Sequence, residues 1–151
     1  MKVRVFIWCL ILVYFVAFIG SIFTSGTVDS DWYLQNKPSF TPPNWLFGPV
    51  WTALYFLIVL SLYFSWTKAK KKEKKKVAWV FGINLVLNSL WSVLFFGLRN
   101  PVLSFIDIIA IWISIIMMIF VAGRIDKKAG WILVPYLIWV SFAAVLNFGF
   151  L

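Results

Sequence analysis

The stretch that decides how this chain folds is Asp31-Trp32-Tyr33-Leu34-Gln35-Asn36-Lys37-Pro38-Ser39-Phe40-Thr41-Pro42-Pro43-Asn44-Trp45-Leu46-Phe47-Gly48-Pro49-Val50-Trp51. It holds four of the six prolines and three of the ten tryptophans, and it joins two long apolar runs. Pro38 and the Pro42-Pro43 pair fix their own φ and exclude helix just before them, so an extended, stiff connector is expected. Thr41 or Asn44 can cap the following helix, because a short side-chain oxygen can accept a free N–H of its first turn. Such a connector reads in two ways. It is a lid over a ligand at the mouth of a helical bundle, or a loop whose Trp and Tyr rest at the membrane headgroups.

Working outward, the 151 residues are 63% hydrophobic and only 13% charged, with a mean hydropathy of +0.94. An ordinary soluble domain is far more polar. Long stretches carry no charge, and the apolar runs are continuous rather than alternating. They approach the roughly 20 residues that a helix needs to span a bilayer. Hydrocarbon admits only helices or closed barrels, since every backbone group must find a partner inside the protein. The fold class is therefore all-α: a polytopic membrane protein with one bundle of five transmembrane helices, at about 3–23, 45–66, 77–98, 102–122 and 131–151.

The first span follows Lys2 and Arg4. It is longer than the apolar core of a signal peptide and lacks an Ala-x-Ala cleavage pattern, so it reads as retained. Ala17, Gly20 and Ser21 form a small-residue patch where another helix can approach closely. In the second span Pro49 is expected in or just past the first turn, where it costs least, and Trp51 and Tyr55 share a face with Ile58 and Leu62. Lys68 to Lys76 reads as a short solvated linker. In the third span Asn84, Asn88, Trp91 and Phe95 fall on one face. Two amides in hydrocarbon need partners, either as interhelical glue or as donors to a ligand's polar edge. Arg99-Asn100-Pro101 reads as a tight turn, with the proline opening the fourth helix. Asp107 in that helix should face the bundle interior, a partner or water, with Arg99 as a candidate partner. Residues 123–130 read as a loop. In the fifth span Trp139, Ala143, Leu146, Asn147 and Phe150 form one stripe.

With five spans, the N-terminus shares a side with the second-to-third and fourth-to-fifth connections. That side carries twelve of the fourteen basic residues; only Lys37 and Arg99 lie opposite. The positive-inside rule then places the N-terminus in the cytoplasm and the C-terminus and the Trp-rich connector outside. The net charge of +9 is thus a matter of topology and anionic lipid, not of nucleic acid. Cys9 is the only cysteine and there is no histidine. That leaves no disulfide within the chain, no zinc cluster, no Ser-His-Asp triad and no Cys-His dyad. No catalytic or metal-ligating set is expected.

Trp32-Tyr33, Lys37-Pro38-Ser39-Phe40-Thr41-Pro42-Pro43 and Gly48-Pro49-Val50-Trp51 closely resemble the motif of the tryptophan-rich sensory protein/translocator protein family, also called peripheral benzodiazepine receptors. Asn84-x-x-x-Asn88-x-x-Trp91 and Pro135-Tyr136-x-x-Trp139-x-x-Phe142-Ala143-x-x-Leu146-Asn147 resemble its third and fifth helices. The resemblance covers essentially the whole chain. It implies five transmembrane helices, a homodimer, and a ligand cavity opening toward the first loop, in a prokaryotic cell membrane. Members bind porphyrins; animal members also bind cholesterol and synthetic drugs, and some bacterial members are linked to light-dependent tetrapyrrole breakdown. Carried over to this chain, the pocket is lined by Trp32, Trp51, Asn84, Asn88, Trp139, Ala143 and Leu146, with Asp107 as the acidic position of the fourth helix.

The implied partners are membrane lipids and a porphyrin-like molecule; a porphyrin or haem enters as ligand, with no resident cofactor. The residues suit that ligand class. Indole faces stack on a flat disc, and indole or amide N–H groups donate to its carboxylate edge. Without histidine, a haem iron would lack its usual axial ligand, so stacking and shape rather than coordination should hold the disc. The reading is thus a receptor or sensor for tetrapyrroles. A light-dependent porphyrin-degrading enzyme and a transporter are the alternatives. The proposed sterol motif of the animal members needs a Tyr and then a basic residue. This chain ends Leu146-Asn147-Phe148-Gly149-Phe150-Leu151 and has neither, which weakens a sterol role.

Overall fold

Continuous apolar runs flanked by lysines, prolines and glycines should make long helices with abrupt ends. The computed structural model, which describes residues 1–151, has this character throughout. The helices are α1 (Val3–Thr24), α2 (Asp31–Asn36), α3 (Asn44–Lys68), α4 (Lys71–Ser92), α5 (Pro101–Ile125), α6 (Lys127–Ile132) and α7 (Val134–Phe148). A π-helical turn, Val93–Gly97, extends α4. Five units are long and apolar enough to cross a membrane: α1, α3, α4 with its π turn, α5, and α6 with α7. The chain is an all-helical integral membrane protein.

The connector differs from the extended strap expected of it. Its first part is the helix α2, which Ser30 starts by accepting the Tyr33 N–H at its Oγ (3.4 Å), with Asp31 favourably placed in the first turn. It stops at Lys37, whose backbone is extended (ψ 140°) because Pro38 follows. Neither Thr41 nor Asn44 caps α3. The Thr41 hydroxyl donates to the Pro38 carbonyl (2.7 Å), and the Asn44 amide donates to the Val28 carbonyl (3.2 Å) and to Asp29 Oδ1 (3.3 Å). Both side chains tie the connector to itself rather than to the helix. Pro49 lies inside α3, the sixth residue of that helix, where it removes one early backbone bond.

The basic run is also not a linker. α3 continues to Lys68 and α4 begins at Lys71, leaving Ala69 and Lys70 as a two-residue extended break. The Glu73 carboxylate reaches back to accept the Lys70 N–H at 2.7 Å, which satisfies one free donor at the start of α4. The stretch read as a loop at 123–130 is likewise helical except for Asp126, a one-residue corner between α5 and α6. Asp126 Oδ1 accepts the Lys128 N–H (3.1 Å) and Oδ2 takes the Lys68 ammonium (2.7 Å). Its carboxyl is held below the usual aspartate value, first by that hydrogen bond from Lys68. The last span is two helices rather than one. Pro135 sits at the start of α7, so the chain breaks at Leu133.

Successive spans alternate in direction. At one end the Lys2 N–H donates to the Tyr63 hydroxyl (3.0 Å), and Lys68 meets Asp126. At the other, α2 meets the π turn and the C-terminus: Trp32 packs on Phe95 (5.6 Å) and Phe150 (5.7 Å). α4 and α5 share the most extensive interface. At the lysine end α5 and α6 touch through glycines. A Cβ on Gly130 would lie 2.9 Å from Gly123 Cα and 3.1 Å from the Ile119 carbonyl oxygen. The Ser61 hydroxyl closes the same crossing by donating to the Ala129 carbonyl at 2.7 Å.

Candidate functional site

At the connector end the spans do not close on one another. They enclose a cavity of about 530 Å³, within the range of small-molecule sites. Its walls are mostly apolar and aromatic. The face of α3 supplies Phe47, Trp51 and Tyr55; α4 supplies Asn88 and Trp91; α7 supplies Trp139, Ala143 and Leu146. Tyr33 and Thr41 of the connector also line it, so the connector is part of its wall.

Three indoles from three spans thus meet at one cavity. The Trp51 ring lies 5.7 Å from that of Tyr55 and 6.4 Å from that of Tyr136, and the Trp139 ring lies 6.0 Å from that of Phe47. Trp91 stacks on Phe95 at 4.8 Å with 12° between the planes. The Trp91 N–H donates to Asn147 Oδ1 (2.9 Å), and the Asn147 amide donates to the Pro101 carbonyl (3.0 Å), which joins α4, α7 and the start of α5. The Trp139 N–H is buried without an acceptor. A buried donor left unpaired costs roughly 1–3 kcal/mol, and this indole is the one such donor among the three buried side-chain atoms without a partner, the others being Asn44 Oδ1 and Asp107 Oδ2.

Behind the cavity runs a one-directional chain of hydrogen bonds. The Tyr55 hydroxyl donates to Asn88 Oδ1 (3.1 Å), Asn88 Nδ2 to the Tyr136 hydroxyl (2.6 Å), and that hydroxyl to Asn84 Oδ1 (3.1 Å). Asn84 Nδ2 then donates to Ser114 Oγ (2.8 Å), which donates to the Ile111 carbonyl (2.6 Å). α3, α4, α5 and α7 are joined through two amides on one face of α4. Both amides point into the bundle, with Asn84 fully buried and Asn88 5% exposed. Their roles differ. Each amide commits its oxygen and one N–H to this chain, but Asn88 borders the cavity, whereas Asn84 lies one turn deeper, outside the lining.

The structure brings five of the eight expected residues to the cavity: Trp51, Asn88, Trp139, Ala143 and Leu146. Trp32, Asn84 and Asp107 are not in the lining. Trp32 forms an outer layer, packed on Phe95 and Phe150 that do line it, with the Arg99 guanidinium 6.0 Å from its ring. Arg99 therefore does not pair with Asp107. Asp107 is 6% exposed, and its Oδ2 has no partner. It is outside the cavity lining, to which no residue of α5 contributes; that helix packs against α4 and α7.

Two contributions were not foreseen. The π turn leaves adjacent Phe95 and Phe96 both buried, and both line the cavity. Its wide i→i−5 bond, from the Leu98 N–H to the Val93 carbonyl (2.8 Å), adds a residue to the turn and lets two neighbours face inward. Nothing in the local sequence announces that bulge. The second is the α1 wall, where Tyr14, Ala17, Phe18 and Ser21 recur at helical spacing. That face was legible, but only as a small-residue packing patch. Gly20 does serve packing: a Cβ there would come 3.3 Å from the Ser92 hydroxyl. At the connector end the Tyr33 ring packs on that of Phe150 (5.6 Å, 32° between the planes), and burial raises the Tyr33 phenol above its ordinary pKa.

A family model described as the TspO/MBR family matches residues 9–151. The chain is 47% identical to the tryptophan-rich protein TspO of Archaeoglobus fulgidus, over 89% of this chain and 86% of that protein. It is 42% identical to the protein of the same name from Chlorobaculum tepidum, over 95% and 91% respectively. The translocator protein of Homo sapiens is 31% identical over 87% of this chain and 79% of its own length. A family match over residues 9–151, together with relatives of this identity over most of both chains, places the chain in the TspO/MBR family.

Proposed function

We propose that this protein is a membrane receptor for porphyrins and related flat tetrapyrroles, which it binds in the cavity beneath the connector. The carrying observation is the convergence of Trp51, Trp91 and Trp139, from three different spans, on one enclosed aromatic space. Ring faces stack on a planar π system, while the Asn88 and Asn147 amides supply the few polar contacts that orient it. The unpartnered N–H of Trp139, a residue of the cavity wall, adds a reason for a ligand with an acceptor edge. The basic bias supports a cytoplasmic N-terminus in a prokaryotic cell membrane, with the cavity toward the outer face.

The test is a dark titration of the full chain in nanodiscs with protoporphyrin IX, read by tryptophan quenching. Saturable quenching is expected, with smaller amplitude in Trp51→Phe and Trp139→Phe. Ala143→Leu should weaken binding by about tenfold or more, because added methyl groups in a tight site cost about 1–3 kcal/mol. A folded Ala143→Leu protein with unchanged affinity would place the ligand elsewhere. A second reading rests on the oxidisable indoles in the same wall: illumination of the bound porphyrin would consume it, by chemistry begun in the excited ligand. New absorbance bands in light and none in darkness would favour that reading over a receptor alone. Porphyrin flux into proteoliposomes would instead favour transport.

A further inference from the structure

A second concavity lies at the opposite end of the protein, on the outer surface between α4 and α5. It measures about 440 Å³, and it is bordered by Lys72, Lys75, Lys76 and Trp79 of α4 and by Met117 and Val121 of α5. The four α4 residues stand at i, i+3, i+4 and i+7, a single helix face. Met117 and Val121 stand four apart, a single face of α5. Trp79 is 62% exposed and Met117 51%, so the floor of this groove is apolar and uncovered.

Depth along the two antiparallel helices sorts the groove into a charged rim and an apolar interior. Trp79 is eight residues from the start of α4, and Met117 eight residues from the end of α5. At ~1.5 Å per residue both lie about 12 Å in from the lysine end, while Lys72 lies within the first turn. The three lysines are exposed and free of ion pairs; the one ion pair in the protein uses Lys68. Lys74, in the same run, is turned away, with its ammonium 5.4 Å from the Trp66 ring. The only acid in the run, Glu73, is held by the Lys70 backbone. The run thus has a free cationic face formed by Lys72, Lys75 and Lys76, and that face borders an apolar groove.

We propose that this groove is a binding site for one anionic phospholipid, with its phosphate against Lys72, Lys75 and Lys76 and an acyl chain along Trp79, Met117 and Val121. Charge complementarity selects the headgroup, and the match of groove depth to the interface selects a lipid rather than a soluble phosphate. A polybasic segment that merely attracts an anionic surface would use all its lysines alike. This site discriminates among them by position.

The experiment is native mass spectrometry of the full chain, purified in detergent with equimolar phosphatidylglycerol and phosphatidylcholine. One retained phosphatidylglycerol is expected, with little phosphatidylcholine. Replacing Lys72, Lys75 and Lys76 together by Gln should lower retention by about 100-fold, the sum of three roughly equal lysine contributions near an anionic headgroup. The triple variant at Lys70, Lys71 and Lys74 removes the same charge from the same run and should retain the lipid. All six side chains are exposed or half-exposed, five on α4 and Lys70 in the break before it, and circular dichroism checks that both variants fold. Equal losses in the two triples would reduce the effect to diffuse attraction and overturn the site. So would equal retention of the two lipids, or displacement of phosphatidylglycerol by millimolar glycerol 3-phosphate.

Discussion

The two ends of this bundle are built from the same apolar alphabet and finish in opposite states. At the lysine end the helices touch. Gly123 meets Gly130, Ser61 reaches the Ala129 carbonyl, and Ala122 and Ala129 are fully buried. At the connector end Trp51, Trp91, Phe95 and Trp139 stand between the helices, and a cavity of about 530 Å³ remains. The difference teaches that side-chain size at the crossings sets whether neighbouring spans close. Small residues let backbones approach, whereas rings hold them apart and cannot fill the space they create. Hydrophobicity alone does not distinguish the two ends.

The largest test of this contrast is a pair of glycine substitutions. Gly130→Val forces a side chain against the Gly123 backbone and should destabilise the bundle by about 3 kcal/mol or more, the upper end for overpacking. Gly48→Val, on the cavity wall with no atom within 4 Å of an added Cβ, should leave thermal unfolding within about 1 kcal/mol of the parent. Equal losses in a thermal unfolding assay would break the comparison.

The two α4 amides sharpen it next. Asn84→Leu removes two interhelical hydrogen bonds, each worth ~0.6–2 kcal/mol, and should lower stability while leaving dark porphyrin affinity unchanged in the folded fraction. Asn88→Leu should lower both, because Asn88 also borders the cavity. Identical binding losses in the two variants would show that the deeper amide shapes the cavity as strongly as the one in its wall.

A smaller effect is expected where the connector meets the C-terminus. A Cβ on Gly149 would collide with the Pro38 ring, so Gly149→Ala should loosen the connector. The expected cost is about 1 kcal/mol, with faster proteolysis near Lys37 as the more sensitive readout. Unchanged cleavage would mean that the aromatic contacts of α2 hold the connector by themselves.

The smallest effect belongs to Asp126. Its carboxyl titrates below the ordinary aspartate value in the folded protein, so its contribution is complete above the unfolded-state value of about 3.9 and fades as pH falls through the folded one. Asp126→Asn should therefore cost less than ~1 kcal/mol at neutral pH, since Lys68 is 57% exposed, and nothing further once parent Asp126 is protonated. Thermal unfolding of the two proteins from pH 7 to pH 3 reads this directly.

Much of the architecture is a consequence of the sequence alone. Five continuous apolar runs, nearly free of charge and long enough to span, satisfy their backbones in hydrocarbon as helices, and Pro101 and Asn100 mark the start of α5 because a proline suits a helix start and an Asn side chain caps it. The α7 stripe of Trp139, Ala143, Leu146 and Asn147 reached the cavity as its spacing implied, since a helical period maps one face onto one environment, and Phe150 joins it from just past the helix end. The helical continuation through the lysines and through residues 123–130 was hidden. Charge and glycine there look like a loop until a neighbouring helix, a backbone cap or a close glycine contact supports the helical backbone. Which amide borders the cavity and which the core, where Asp107 lies, and the π turn that turns two adjacent phenylalanines inward are settled only by packing. These depend on distances between helices, and the period of a single helix carries no information about its distance from the next.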